Sequence, residues 1–229
     1  ETGVPTRVGF VGRSMADEIV GLNGHADLVV ANNVLAHVPD INDFVAGFAR
    51  LLKPHGVATF EFPHLLRMVQ GCQFDTAYHE HYSYLSLTAV QRIFAANGLV
   101  VVDVQELPTH GGSLRVYGCH ADDARADTAA PARVLDAEAS AGLSDFTGHA
   151  YRTFQARADA VKDGLLTFLI EQKRAGKTVA AYGAAAKGNT LLNYCGVRTD
   201  FVDYTVDRSP HKQGTFLPGS LPGGQFSSG

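Results

Sequence analysis

The chain has 229 residues, 45% of them hydrophobic, with 23 acidic against 19 basic side chains and a net charge of −4. That apolar content supports one large or two modest cores and argues against disorder as the default. Lys and Arg form no run longer than one adjacent pair, which leaves no footprint for nucleic acid or an anionic membrane, and no apolar run reaches the ~18 residues of a membrane span.

The three cysteines, Cys72, Cys119 and Cys195, lie far apart with no CxxC pairing. That spacing argues against a disulfide framework or a cysteine-based zinc site and fits a reducing cytoplasm. The chain opens on "ETGVPTRVGF" without Met or signal peptide and closes on the Gly/Ser-rich "LPGGQFSSG", as expected of a piece of a longer protein.

Residues 7–11 predict a short strand, and 14–22 a helix capped by Ser14. Residues 27–31, apolar from Leu28 onward, predict a buried parallel strand. Phe44, Phe48 and Leu51 fall at helical spacing within 41–53, ahead of Pro54 and Gly56. A strand follows over 57–62, then a loop of about twenty residues, uncommon in a compact α/β domain unless it is functional. A Ser/Thr start and Gly98 bracket a helix over 86–98. Strands over 99–107 and 113–120 flank Gly111-Gly112, which predicts an antiparallel, hairpin-like edge. The Ala-rich stretch that follows predicts a linker or exposed helix, and 145–175 a long amphipathic helix. A β-α-β unit begins near 177. The alternation predicts an α/β fold with mostly parallel sheets.

Five stretches carry candidate chemistry. Asn32 and Asn33 end a parallel strand, where ligands sit in open α/β sheets, although asparagines there also serve simply as caps. "LLKPHGVATFEF" is by itself a helix stop and a strand start. In "TAYHEHYSYLS", residues 76–86, Ser83 stands where the HExxH signature requires its second His, so that signature fails. His79 and His81 have the spacing to ligate a metal from an extended segment, with Glu80, His64 or His110 as a third ligand. An extended segment puts His79 and His81 on one face, whereas a helical one puts Tyr78 beside His81. Histidine takes a proton near neutral pH, and Glu80 and the tyrosines are suited to orient it and to stabilise developing negative charge. In "PTHGGSLRVY", Gly111 and Gly112 allow close approach to a ligand or simply make a tight turn. "YGAAAKGNT" is not a Walker A motif, because Asn189 replaces the required Lys. Small residues plus Lys187 at a helix start make either a phosphate cradle or tight strand–helix packing.

In series, "ANNVLAHVPD", "LLKPHGVATFEFP", "YHEHYSYLS", "HGGSLRV", "YGAAAKGNTLLNY" and "VDRSPHKQG" resemble the three-domain sugar C-methyltransferases, which methylate a carbon of nucleotide-linked keto-deoxysugars. The resemblance implies a partial class I methyltransferase, Rossmann-like sheet over 1–121, a helical linker over 122–176, and part of a nucleotide-sugar-binding domain with a small Rossmann-like unit over 177–229. It implies S-adenosylmethionine as donor near Asn32 and Asn33. His81 would be the base, with Tyr78, Glu80 and His37 around the sugar. His79, His110, Gly111, Gly112, Lys187 and Asn189 are the matching substrate-side positions. Zinc and the donor-binding glycine motif would belong to a region outside this chain, and the complete protein would be a cytoplasmic monomer. Competing readings are a non-catalytic nucleotide-sugar-binding fragment and a metal-dependent enzyme using His79 and His81.

Overall fold

The computed structural model describes residues 3–123, 125, 128–143 and 149–219. The chain divides into two units, Glu1–Met68 with Glu80–Phe146, and Val69–His79 with Thr147–Gly229.

The first unit is built on a four-stranded sheet. Helix α1 (Arg13–Asn23) leads into strand β1 (Ala26–Asn32), and helix α2 (Ile41–Leu51) returns the chain to β2 (Leu52–Pro63). Helix α3 (Leu65–Gln70) and an irregular stretch precede α4 (Leu87–Ala96), β3 (Leu99–Leu107), β4 (Ser113–His120) and α5 (Ala130–Ser140). Two of the helix starts carry side-chain caps. Asp40 accepts from the Asp43 N–H at 2.9 Å to start α2, and Ser86 accepts from the Ala89 N–H at 3.1 Å to start α4. The first helix is capped at Gly12, two residues before the expected Ser14 cap, and starts at Arg13. The two helices meet closely there: a Cβ on Gly47 of α2 would fall 2.8 Å from the Gly12 carbonyl.

The sheet order is β1-β2-β4-β3. Strands β1 and β2 pair in parallel, and β4 runs antiparallel to both β2 and β3. Three strands therefore share one direction, as expected, but two of the three pairings are antiparallel. The reason is the short 108–112 connection, since a parallel neighbour needs a crossover of a dozen or more residues. Strand β4 is also no edge. It lies between β2 and β3 with Leu114 and Val116 fully buried. Residues 7–11 form no strand, and Val8 and Phe10 are each 96% exposed. The outer side of β1 has no hydrogen-bonded neighbour among the described residues, and extended chain without a partner gains no ladder.

An aromatic column crosses the core from α2 through β2 to α4. Ring centroids are 4.6 Å apart for Phe48–Phe60 and 5.2 Å for Phe60–Phe94. Helix α5 packs on β3 and α4 through Pro131, Val134 and Glu138, all buried.

In the second unit a 26-residue helix, α6 (His149–Arg174), packs on α7 (Ala186–Cys195). Residues 145–148 of the expected long helix lie outside the described residues. Strands β5 (Ala180–Tyr182) and β6 (Tyr204–Val206) pair in parallel on either side of α7, the expected β-α-β unit. Leu169, Cys195, Val197 and Val202 form its core. Residues 69–79 belong to this unit. The Arg157 guanidinium donates to the Val69 and Gln70 carbonyls at 2.7 and 2.6 Å, and Phe74 stacks on Tyr194 with centroids 4.7 Å apart.

Candidate active site

The carboxyl end of β1 organises the first unit's polar residues. Asn32 is its last, exposed residue. Asn33 follows in the left-handed region (φ 55°), and its N–H donates to the Glu61 carbonyl at 2.8 Å. Few non-glycine residues adopt that conformation, and Asn is among the most tolerant of it. The chain then makes a tight turn over Leu35–His37.

That turn receives the 80–84 segment. The Ala36 carbonyl accepts the N–H groups of Tyr82 and Ser83 at 2.8 and 3.2 Å. The two bonds bring half-buried His81 against His37, with ring centroids 4.7 Å apart and planes at 67°. Tyr84 completes the cluster, its ring 6.0 Å from that of His81 at 84°. Glu80 is exposed in the preceding turn. Residues 77–84 form bends and turns, so neither the extended nor the helical alternative applies. Tyr78 and His79 are placed in the second unit. Tyr78 is half-buried, its N–H donating to the Thr76 carbonyl at 3.1 Å, and His79 is exposed.

Glu61, buried in β2, was not legible as a site residue, although an acid inside the apolar run "VATFEF" is a signal. Its carboxylate accepts from Arg115 at 2.7 Å and from the Thr109 hydroxyl at 3.3 Å, while its own carbonyl holds Asn33. Beside Thr109, His110 is also left-handed at φ 55° and exposed, and Gly111 and Gly112 follow at φ 84° and 120°. A side chain at Gly112 would be strained by that φ and would also meet Arg67, whose Cγ lies 2.6 Å from the Cβ position. The two glycines are thus required by the turn itself. Non-glycine residues in sparse backbone regions cluster at functional sites, and this unit holds two of them, Asn33, bonded to the Glu61 carbonyl, and His110, next to the Thr109 that bonds the Glu61 carboxylate.

In the second unit, Gly183 (φ 93°) turns the chain from β5 into α7. The next residue, Ala184, donates its N–H to Asp207 at 2.8 Å, and Ser209 donates to the same carboxylate at 2.8 Å. Those backbone bonds hold the Asp207 carboxyl below its ordinary pKa. Lys212 reaches the Ala184 carbonyl at 2.9 Å, so "YGAAAKGN" and "VDRSPHKQG" meet at one turn. Lys187 is half-buried in the first turn of α7. Asn189 is engaged by Asn193 one turn on. Among the described residues no group of three or more His, Cys, Asp or Glu is placed to hold a metal ion, and no helix is long and apolar enough to cross a membrane.

Comparison with known proteins adds the family. Residues 108–222, just over half the chain, match the family described as C-methyltransferase C-terminal domain. Residues 7–104 match a methyltransferase domain family. The C-methyltransferase NovU of Streptomyces niveus is 36% identical over 220 residues, covering 96% of this chain. The chain spans about half of that relative, 52% of its length. Among solved structures, magnesium protoporphyrin IX methyltransferase (ChlM) from Synechocystis PCC 6803 with bound SAH matches 45% of this chain and 48% of its own, at 16% identity and a TM-score of 0.35. CalO1, a methyltransferase in calicheamicin biosynthesis, matches 42% of this chain and 31% of its own, at 18% identity and a TM-score of 0.34. With one family's model covering just over half of its length, the chain belongs to the C-methyltransferase family.

Proposed function

We propose that this chain carries the base and substrate side of an S-adenosylmethionine-dependent methyltransferase that methylates a carbon next to the ketone of a nucleotide-linked deoxysugar. The observation that carries the reading is the His81–His37 pair, pinned by the Ala36 carbonyl at the ligand end of a parallel strand.

Carbon is a poor nucleophile until a neighbouring carbonyl lets it lose a proton. His81 removes that proton: the C–H pair becomes the enolate π bond and the carbonyl oxygen takes the negative charge. His37 and Glu80 are the groups proposed around the sugar, to hold the oxyanion and keep His81 oriented. S-adenosylmethionine, when bound, supplies an electrophilic methyl group. The residues present fit part of such a ligand. Asn32 and Asn33 offer polar groups, and a cleft of ≈ 410 Å³ that begins at the next residue is lined by Phe10, Val11, Val34, Val38, Asp40 and Phe44. In the second unit, Lys187 and the first turn of α7 suit a phosphate of the nucleotide.

The test uses the full-length protein with a ¹³C-methyl-labelled donor and a nucleotide-linked keto-deoxysugar. The label should appear as a new C–CH₃ next to the ketone. Label on oxygen or nitrogen, or no transfer to any keto-sugar nucleotide, would contradict the proposal.

A further inference from the structure

Glu138 lies on α5, remote in sequence from every candidate residue, and is only 1% exposed. Its carboxylate is saturated with donors. His64 Nε2 stands 2.7 Å away, the N–H groups of Leu87 and Thr88 at 2.6 and 3.0 Å, and the Thr88 hydroxyl at 2.7 Å. Leu87 and Thr88 are the first residues of α4, whose N–H groups have no partner inside the helix. A carboxylate brought from another helix therefore caps α4 beyond what Ser86 supplies, at the end where the helix dipole favours negative charge. Burial alone would raise the Glu138 pKa, but the bonds from His64, Thr88 and Leu87 outweigh it and hold the carboxyl below its ordinary value. His64 is equally buried, and its other ring nitrogen, Nδ1, has no hydrogen-bond partner among the described residues. The Nε2–H bond to Glu138 is thus the polar bond that holds this ring.

The positions of the donors give the arrangement its meaning. His64 is the residue at which the chain leaves β2, and Leu87 is where it enters α4. The excursion between them, 65–86, carries Glu80, His81 and Tyr84. Its two ends are also zipped by the backbone. His64 bridges Leu85, and the Leu65 N–H donates to the Leu85 carbonyl at 2.9 Å. The His64 N–H donates to the Gly112 carbonyl at 3.0 Å, tying the same point to the His110–Gly112 turn.

We propose that Glu138 is a positioning residue for the segment that bears the candidate base: by gripping His64 before the excursion and Leu87 and Thr88 behind it, the buried carboxylate closes its neck and sets where His81 stands. The catalytic half of this inference rests on the function proposed above, whereas the structural half does not.

The experiment uses the full-length protein with Glu138→Gln, Glu138→Ala, His64→Leu and His64→Gln. Hydrogen–deuterium exchange is read on peptides covering 64–88 and, as an internal control, on the β3–β4 peptides. In Glu138→Gln, which keeps the size but offers one acceptor oxygen to four donors, exchange over 64–88 should quicken about tenfold while β3–β4 changes less than about twofold. Turnover should fall about tenfold or more with KM for donor and sugar nucleotide within about threefold, because the site is misplaced rather than removed. His64→Gln keeps an N–H aimed at Glu138 and should retain most of the activity that His64→Leu loses. Should Glu138→Ala fail to fold, the Gln variant decides. Exchange unchanged over 64–88, or raised equally everywhere, would overturn the proposal. So would local loosening with unchanged kcat. If wild type methylates no sugar nucleotide, the proposed function fails, and the exchange pattern still decides whether Glu138 closes the neck.

Discussion

The imidazole rings of His37 and His81 meet edge to face at 4.7 Å, one from the turn after β1 and one from the segment before α4. Aromatic edges carry partial positive charge and faces partial negative charge, so the contact fixes orientation as well as distance. The Ala36 carbonyl, bonded to both Tyr82 and Ser83, locks the backbone on which that contact depends. His37→Ala in the full-length protein should lower kcat by about 10–10²-fold through a loosened His81, with a smaller change in substrate KM. Steady-state kinetics checks this, and an unchanged kcat would show that His81 does not depend on its neighbour.

Glu138 has a pH signature. Its native pKa is depressed relative to the unfolded chain, so its contribution to stability is fully present above the ordinary glutamate value of about 4.3 and is lost as pH falls through the lower native value. Denaturant midpoints measured from about pH 6 downward should decline through that acid window. The Glu138→Gln variant should show a shallower decline, having lost this contribution at all pH values. Parallel profiles for wild type and variant would show that the carboxylate is not held ionised.

Lys187 sits in the first turn of α7, beside the turn that Asp207 and Lys212 tie together. A phosphate contact made equally in the ground and transition states contributes to binding without contributing to the chemical step. Lys187→Ala should therefore raise the sugar-nucleotide KM about tenfold or more and change kcat by less than about threefold. A collapse of kcat with KM unchanged would make Lys187 part of the chemistry.

Strand β1 exposes Leu28 and Val30, 58% and 54% accessible, along one face, and among the described residues it is paired on one side only. Open edges with apolar side chains recruit other strands. The isolated chain should self-associate at micromolar concentrations in sedimentation velocity and bind S-adenosylmethionine weakly. Val30→Lys should shift it toward monomer. A wild-type chain that stays monomeric would contradict this.

Much of the architecture was legible because it is local. The strand at β1, the Ser86 cap and the two glycines before β4 all act within a few residues, although β1, expected to be buried, leaves Leu28 and Val30 exposed because nothing among the described residues covers that face. What was not legible depends on partners distant in the chain. Residues 7–11 have the composition of a strand but, among the described residues, no neighbour to pair with. The hairpin-like link from β3 to β4 was visible, but the insertion of β4 beside β2 was not, because its Phe60–Val116 register joins segments far apart in sequence. Glu138 sits in an Ala-rich stretch that reads as a linker or exposed helix, and only the fold brings His64 and Thr88 to it. Spacing likewise gives no hint that His79 and Glu80, adjacent in sequence, belong to different units.

The central claim is that His81 removes the proton next to the ketone. The most direct measurement incubates the full-length enzyme with the keto-sugar nucleotide in deuterated buffer, S-adenosylhomocysteine filling the donor site, and follows deuterium at the carbon to be methylated. Wild type should incorporate deuterium. His81→Gln keeps the volume and a hydrogen-bonding group but has no base, and should lose exchange and methyl transfer together, by about 10²–10⁴-fold. A His81→Gln enzyme that still exchanges and methylates near the wild-type rate would contradict the account.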